Sequence, residues 1–255
     1  MNPLRTLRVF LLFPMLAGLA IGQTVAPGAA AARPLWPADG VFPGKGKVSS
    51  WTGFKARDLD RRTFFAGRRA FDQDGVVFVG DSITEGWSSL EQDWAGLGVK
   101  VVNRGIGGDT TPNLLYRLEE DVLSLHPRAL VILIGTNDLG EHTPPADIAD
   151  NLKTMLARIR AECPTIPIAW CLVMPRTGND AFPARIHELN GRIRQLAAGD
   201  PRIILCDTFT PFALPDGTSK AQDFKPDHLH PNPAGYAVWR RVIAPVLFGW
   251  RLGVR

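Results

Sequence analysis

The sequence predicts an α/β fold, in which a five-stranded parallel sheet forms the middle layer of a three-layer α/β/α sandwich. Five short apolar runs recur along the chain, amphipathic stretches of helical period separate them, and glycine or polar turn residues follow the first three runs. Short apolar runs are typical of strands buried on both faces, and strand–helix alternation favours parallel pairing with right-handed crossovers. The 255 residues, of which 45% are hydrophobic and 21% charged, suffice for one globular domain of this kind.

The elements can be placed along the chain. The predicted strands lie at Val76–Val79, Val99–Asn103, Ala129–Ile134, Ile166–Val173 and Ile203–Cys206. The predicted helices lie at about Ala56–Asp72, Thr111–Leu125 and Pro145–Glu162, then in a stretch that ends near Ala198, and finally from Asn232-Pro233 onward. In the second helix Leu114, Leu118 and Leu125 fall on one face, which indicates that this face packs on the sheet.

Residues 1–32 have the pattern of a secretory signal peptide. Arg5 and Arg8 precede the apolar run Val9–Ile21, and small residues follow that run. The run is shorter than the roughly 20 apolar residues that span a bilayer, so we expect cleavage, a secreted or periplasmic protein, and no stable membrane insertion once the leader is removed. The cleavage position stays open. Residues 33–55, rich in Pro and Gly, are predicted to form an extended arm, and residues 56–255 the globular domain.

Charge and cysteine content exclude several classes of function. The formal net charge of +4 falls to +2 without Arg5 and Arg8, and basic residues do not cluster with aromatic ones, so we expect no nucleic-acid partner. Cys163, Cys171 and Cys206 cannot all pair, and we interpret them as free thiols that are mainly buried. The histidines have no metal-ligand spacing, so no metal is predicted.

Ser82 is the first candidate for chemistry, because Gly80-Asp81-Ser82 follows directly on a predicted strand. Open α/β sheets bind ligands at the carboxyl ends of their strands, so a hydroxyl there can serve as a nucleophile. The ordinary alternative is a serine that caps a helix N-terminus. The stretch is not the Gly-x-Ser-x-Gly elbow of α/β-hydrolases, since Thr84 stands where the last glycine would be.

Later stretches supply possible partners at the same edge. Gly105–Asp109 follows the second strand and offers backbone N–H groups to an anion, and Asn137 after the third strand offers an amide donor. Both also fit ordinary turns. In Asp227-His228-Leu229-His230 a carboxylate stands three residues before an imidazole, a spacing that lets Asp227 hold one ring nitrogen while the other faces a serine. His228 is the competing base.

Together these motifs are similar to the four blocks of the SGNH hydrolase family, also called GDSL esterases and lipases. Gly80-Asp81-Ser82-Ile83, Gly107-Gly108-Asp109, Gly135-Thr136-Asn137-Asp138 and Asp227-His228-Leu229-His230 occur in the family's order, which makes residues 56–255 resemble an SGNH hydrolase domain of flavodoxin-like fold. The stretch Gly105–Glu119 further resembles the branch that contains the catalytic subunits of platelet-activating-factor acetylhydrolase. That branch favours short acyl groups.

The resemblance implies a role for each matching residue. Ser82 would be the nucleophile, His230 its base and Asp227 the acid that orients His230, with an oxyanion hole made by the backbone N–H groups of Ser82 and Gly108 and the side chain of Asn137. Gly108 is preferred to Gly105 or Gly107 because the family's glycine precedes the Asp of its block. The family uses no metal or cofactor. Its subunits can associate, which leaves a homodimer open.

We therefore expect a secreted serine esterase that hydrolyses short-chain acyl esters, above all acetyl esters, of small molecules or glycans. The alternative at the same site is a lysophospholipase or lipase-like hydrolase of longer acyl chains, which the absence of an evident Met- or Phe-rich lid insertion disfavours. An alternative of another class is a carbohydrate-binding protein that keeps the fold without activity. A dinucleotide site is disfavoured, because Thr110 breaks the Gly-x-Gly-x-x-Gly pattern at its last position.

Overall fold

The computed structural model describes residues 34–252, so the predicted leader lies outside the described residues. All five predicted strands are present. They are β1 (Val76–Gly80), β2 (Val101–Gly105), β3 (Ala129–Leu133), β4 (Ile168–Cys171) and β5 (Ile203–Cys206). They pair in parallel in the order β2-β1-β3-β4-β5, which is the flavodoxin-like order. The predicted parallel sheet is thereby confirmed.

The helices occupy the intervals between the strands. They are α1 (Phe54–Arg68), α2 (Ser82–Glu85), α3 (Leu90–Asp93), α4 (Thr111–Asp121), α5 (Thr136–Gly140), α6 (Pro145–Glu162), α7 (Phe182–Ala198) and α8 (Pro233–Gly249). The short helices α3 and α5 were not predicted, because a single turn carries too little hydrophobic periodicity to be recognised. None of the helices in the described part is long and apolar enough to cross a membrane.

Alternate residues of β1 face the two helical layers. Val77 and Val79 of β1 pack into a core with α4, α6 and α7, whereas Val76 and Phe78 pack into a second core with α3 and α8. All four of these side chains are buried, as expected of a parallel sheet covered on both faces. This is the predicted three-layer α/β/α sandwich.

The carboxyl ends of β1, β2 and β3 are in register. Gly80 at the end of β1 is paired with Gly105 at the end of β2 and with Leu133 at the end of β3. After β1 the chain forms β2 on one side of β1, and it then crosses over to form β3 on the other side of β1. A crevice opens at such a reversal of strand order, and this brings the turns after the three strands to one place.

The helix predicted at Ala56–Asp72 runs instead from Phe54 to Arg68. The chain leaves the helix because Asp72 turns inward to an ion pair with Arg104 of β2, with 2.9 Å between the nitrogen and the oxygen, and both side chains are almost fully buried. The helix begins two residues earlier than predicted, where the Phe54 N–H donates to the Trp51 carbonyl.

Candidate active site

Ser82 is the first residue of α2, directly after β1. The N-cap of this helix is Asp81, whose carboxylate accepts from the Ile83 N–H at 2.9 Å. Capping was the ordinary alternative for Ser82, and in the structure the neighbouring aspartate does it. The Ser82 hydroxyl is therefore available for another partner, and the Ser82 N–H, as a first-turn donor, has no acceptor within the helix.

The partner of the Ser82 hydroxyl is His230. The Ser82 Oγ lies 2.8 Å from the His230 Nε2, and the His230 Nδ1 lies 2.8 Å from the Asp227 Oδ2. Ser82 and His230 are 148 residues apart in sequence. The arrangement is a nucleophile, a base and a carboxylate that orients the base, which is the geometry needed to activate a serine.

Asp227 is fixed by the backbone of its own turn. One carboxylate oxygen accepts from the N–H groups of Leu229 and His230, at 3.0 and 2.9 Å, while the other oxygen contacts the imidazole. Burial acts to raise the pKa of Asp227, but these hydrogen bonds outweigh it and lower the pKa to about 2. Asp227 therefore stays ionised at any pH at which an esterase would be assayed.

His228, the competing base, faces another environment. Its backbone φ of +53° lies in the left-handed region, and its carbonyl accepts from the Ser219 hydroxyl at 3.1 Å. The Asp227 carboxylate bonds to the imidazole of His230 and not to that of His228. The structure therefore brings His230, and not His228, to Asp227 and Ser82.

The glycine-rich segment that begins at the end of β2 contains three glycines, two of which have occupied N–H groups. The Gly105 N–H donates to Asn103 Oδ1 at 2.9 Å, and the Gly107 N–H donates to the Glu85 carboxylate. Within residues 34–252 no acceptor is paired with the Gly108 N–H. Gly108 has a φ of +84°, which favours glycine, and a Cβ there would meet Phe54 Cδ2 at 2.9 Å.

Asn137 lies in α5, after β3, and borders the same turn. Its side-chain nitrogen donates one hydrogen to the Asp109 carbonyl at 2.9 Å. A primary amide carries two hydrogens, so one is left to point at an anion. Gly108 and Asn137 thus border one turn, and a Cβ built on Gly107 in that turn would lie 3.8 Å from the Ser82 Cβ. The catalytic roles of Ser82, Asp227, His230, Gly108 and Asn137 stay predictions.

Buried carboxyl groups beneath the site hold these turns together. Asp109 accepts from Arg117 in α4 at 2.7 and 2.9 Å, and Arg117 also donates to the Gly80 carbonyl at 3.3 Å. Asp138 accepts from the Thr111 hydroxyl and N–H, at 2.5 and 3.0 Å. Burial raises the pKa of Asp138, and that of Asp81, to about 7, and the nearby Asp109 carboxylate adds to both shifts; at Asp81 the Arg176 guanidinium offsets only part of the desolvation.

Sequence reasoning missed two residues that shape the site. Glu85 of α2 accepts from the Gly107 N–H and pairs with Arg57, so it joins the helix of Ser82 to the turn of Gly108. Arg117 is completely buried. The signal for Arg117 was present, because a charged residue between Leu114 and Leu118 on a core-facing helix needs a buried partner. Nothing local indicated the partners of Glu85.

Among residues 34–252, no group of three or more potential ligand side chains is placed to hold a metal ion. Cys171 and Cys206 are buried and Cys163 is partly buried, and all three are free thiols. This agrees with the interpretation of the cysteines made from the sequence.

Comparison with known proteins gives consistent matches. The model of the GDSL-like Lipase/Acylhydrolase family matches residues 78–238. The platelet-activating factor acetylhydrolase IB subunit alpha1 of Homo sapiens is 31% identical over 177 residues, which are 68% of this chain and 74% of that protein. A putative acylhydrolase of Bacteroides fragilis superposes with a TM-score of 0.65 at 26% identity, over 74% of this chain and 96% of the other. An acetyl xylan esterase of Geobacillus stearothermophilus has a TM-score of 0.56 at 23% identity, over 70% and 97%.

Proposed function

We propose that this chain, which belongs to the GDSL-like lipase/acylhydrolase family and is a carboxylic ester hydrolase, cleaves short-chain acyl esters by a Ser-His-Asp mechanism. The family match agrees with the resemblance to SGNH hydrolases drawn from the four motifs, which is thereby confirmed. The observation that carries the mechanism is the continuous chain of contacts from Asp227 through His230 to the Ser82 hydroxyl, with 2.8 Å at each step to and from the imidazole.

In the first half of the reaction, the Ser82 oxygen attacks the ester carbonyl carbon while the His230 Nε2 takes the hydroxyl proton. Asp227 holds the imidazole and stabilises its positive charge. The carbonyl oxygen becomes an oxyanion and receives hydrogen bonds from the N–H groups of Ser82 and Gly108 and from Asn137. The bond to the alcohol oxygen then breaks, that oxygen takes the proton from His230, and the acyl group stays on Ser82.

Water completes the reaction at the same groups. His230 removes a proton from a water molecule, whose oxygen attacks the acyl carbon and forms a second oxyanion at the same donors. The ester bond to Ser82 breaks as the Ser82 oxygen regains the proton from His230, and the acid leaves. No proton has to travel further than one hydrogen bond in either half.

Asp227 stays ionised in the working range, because its pKa is lowered to about 2. The acid side of the pH profile should therefore not include the loss of the Asp227 charge. Asp81 and Asp138, whose pKa values are raised to about 7, are further groups that change charge on this side of the profile. An imidazolium cannot accept the Ser82 proton, so we expect kcat/KM to fall as the pH is lowered. A flat profile would contradict a histidine base.

Short acyl groups, above all acetyl, are supported by the form of the site. One residue joins β1 to α2, five join β2 to α4 and two join β3 to α5, so none of these connections contains an insertion large enough for a lid. The human relative is named as an acetylhydrolase, and the Geobacillus structure is that of an acetyl xylan esterase. Together with the predicted leader at residues 1–32, these names support a secreted or periplasmic enzyme that removes acetyl groups from carbohydrates.

Activity on a graded substrate set tests the proposal. We expect kcat/KM to fall from p-nitrophenyl acetate to the butyrate and the decanoate, and acetate to be released from acetylated sugars. Preference for the decanoate would favour the lysophospholipase or lipase-like alternative, which the phospholipid-directed name of the human relative also fits. A protein that neither hydrolyses these esters nor reacts with a serine-directed fluorophosphonate would be the inactive carbohydrate binder.

A further inference from the structure

The arm that precedes α1 is fixed across the helical layer that borders the site. The Pro34 carbonyl accepts from the Tyr116 hydroxyl at 2.6 Å. Farther along, the backbone of Lys45 exchanges two hydrogen bonds with the Asn151 side chain, at 2.8 and 2.7 Å. Contacts from α4 and α6 thus hold the arm, and no local sequence pattern predicts them.

The end of the arm reaches the elements that carry the proposed oxyanion donors. Ser50 donates through its N–H and its hydroxyl to Glu141, at 2.7 and 2.9 Å, and Glu141 directly follows α5, the helix of Asn137. The next residue, Trp51, donates its N–H to the Ser49 hydroxyl at 3.3 Å and accepts from the Phe54 N–H at 2.9 Å. The backbone of Trp51 is therefore held on both sides.

The indole of Trp51 lies beside Gly108. A Cβ built on Gly108 would be 3.5 Å from Trp51 Cε3, which is ordinary van der Waals contact. A substrate whose carbonyl oxygen accepts from the Gly108 N–H would therefore have its neighbouring atoms within reach of this ring. Trp51 therefore lies beside the turn that carries Gly108, although no sequence motif includes it.

The ring is exposed, unlike most of the large aromatic side chains around it. Trp51 is 54% exposed, whereas Trp87, Trp94, Trp170 and Trp239 are each at most 1% exposed. Within the arm, Trp36 packs edge-on against Phe42 and Phe54, at centroid distances of 4.9 and 6.1 Å. The arm thus packs its other aromatic rings and leaves the indole exposed beside Gly108, and aromatic side chains commonly line ligand sites.

The size of the acyl group decides what this ring can bind. In an acetyl ester the acyl part beyond the carbonyl is one methyl group, which covers only a small part of an indole. The alcohol part of such an ester is larger than the acyl part and can cover more of the indole. A sugar ring has a face of C–H groups that packs flat on an aromatic ring. We propose that Trp51 is the platform on which the sugar ring of the substrate stacks, an inference that rests on the proposed carbohydrate esterase function.

The test compares a ring-bearing ester with an ester that has no ring. Acetate release from an acetylated methyl xyloside and from ethyl acetate is followed by titration for the wild type, Trp51→Ala and Trp51→Phe. We expect Trp51→Ala to raise KM for the sugar ester about tenfold with little change in kcat. Trp51→Phe should have a KM close to that of the wild type, since stacking needs an aromatic face. Ethyl acetate should be hydrolysed equally by all three.

Phe71→Ala is the matched control. Phe71 is an aromatic residue with 65% exposure, and it lies shortly before β1, at the end of the strands opposite to the one that Ser82 follows. Phe71→Ala should hydrolyse both esters with the kcat and KM of the wild type. The proposal would be overturned if Trp51→Ala and the wild type had equal KM values for the sugar ester. It would also be overturned if Trp51→Ala lost as much kcat/KM on ethyl acetate as on the sugar ester. A loss confined to p-nitrophenyl decanoate would assign Trp51 to the acyl side. If the wild type hydrolyses ethyl acetate but no acetylated sugar, the proposed carbohydrate substrate fails as well.

Discussion

Ser82→Ala should lower kcat for p-nitrophenyl acetate by roughly 10⁴- to 10⁶-fold, the loss typical of a serine enzyme without its nucleophile. The variant keeps the oxyanion donors and the base, but it has no oxygen that could form an acyl-enzyme. The fold should be preserved, because Asp81 caps α2 and, among the residues that the structure describes, the Ser82 hydroxyl hydrogen-bonds to the imidazole of His230 alone. Rapid-mixing kinetics should show no burst of p-nitrophenol.

Ser88→Ala is the matched control for this variant. Ser88 is an exposed serine six residues farther along the chain, and its loss should leave turnover unchanged. If Ser82→Ala hydrolysed p-nitrophenyl acetate at a rate near that of the wild type, while equally well folded, Ser82 would not be the nucleophile.

Asp227→Asn should lower kcat by about 10⁴-fold without unfolding the loop. The asparagine oxygen can still accept from the N–H groups of Leu229 and His230, which preserves the turn. Its amide nitrogen would then face the His230 Nδ1, and this forces the ring proton onto Nε2. A ring protonated at Nε2 cannot accept the proton of Ser82, so the serine stays inactive.

The control for Asp227→Asn is Asp216→Asn. Asp216 makes a turn of the same kind, in which its carboxylate accepts from the Thr218 N–H at 2.9 Å and from the Thr218 hydroxyl at 2.6 Å, but it contacts no histidine. We expect wild-type kcat from Asp216→Asn and melting temperatures close to that of the wild type for both variants. If the kcat of Asp227→Asn were within tenfold of the wild-type value, Asp227 would not determine which ring nitrogen of His230 carries the proton.

The sequence was sufficient for the features that depend on local pattern. Strands such as Val76–Gly80 are apolar throughout, and in a parallel sheet the chain direction alone places Ser82, Gly108 and Asn137 at one edge. The spacing of three between Asp227 and His230 predicted their contact, because a single turn brings such residues to the same side.

The features that escaped prediction depend on contacts between distant parts of the chain. The pairing of Glu85 with the Gly107 N–H and Arg57 and the approach of Trp51 to Gly108 join segments with no shared periodicity. The end of α1 was misplaced for the same reason, since Asp72 leaves the helix to meet Arg104 in a strand. Such contacts form only once the chain is folded, so they cannot be predicted from a short window of sequence.

The location of the covalent adduct tests the central claim most directly. The protein is treated with a fluorophosphonate, digested and analysed by mass spectrometry. A Ser82 activated by His230 should give a single adduct on the peptide that contains Gly80-Asp81-Ser82, and Ser82→Ala should give none. An adduct on another residue, or labelling that persists in Ser82→Ala, would contradict the account.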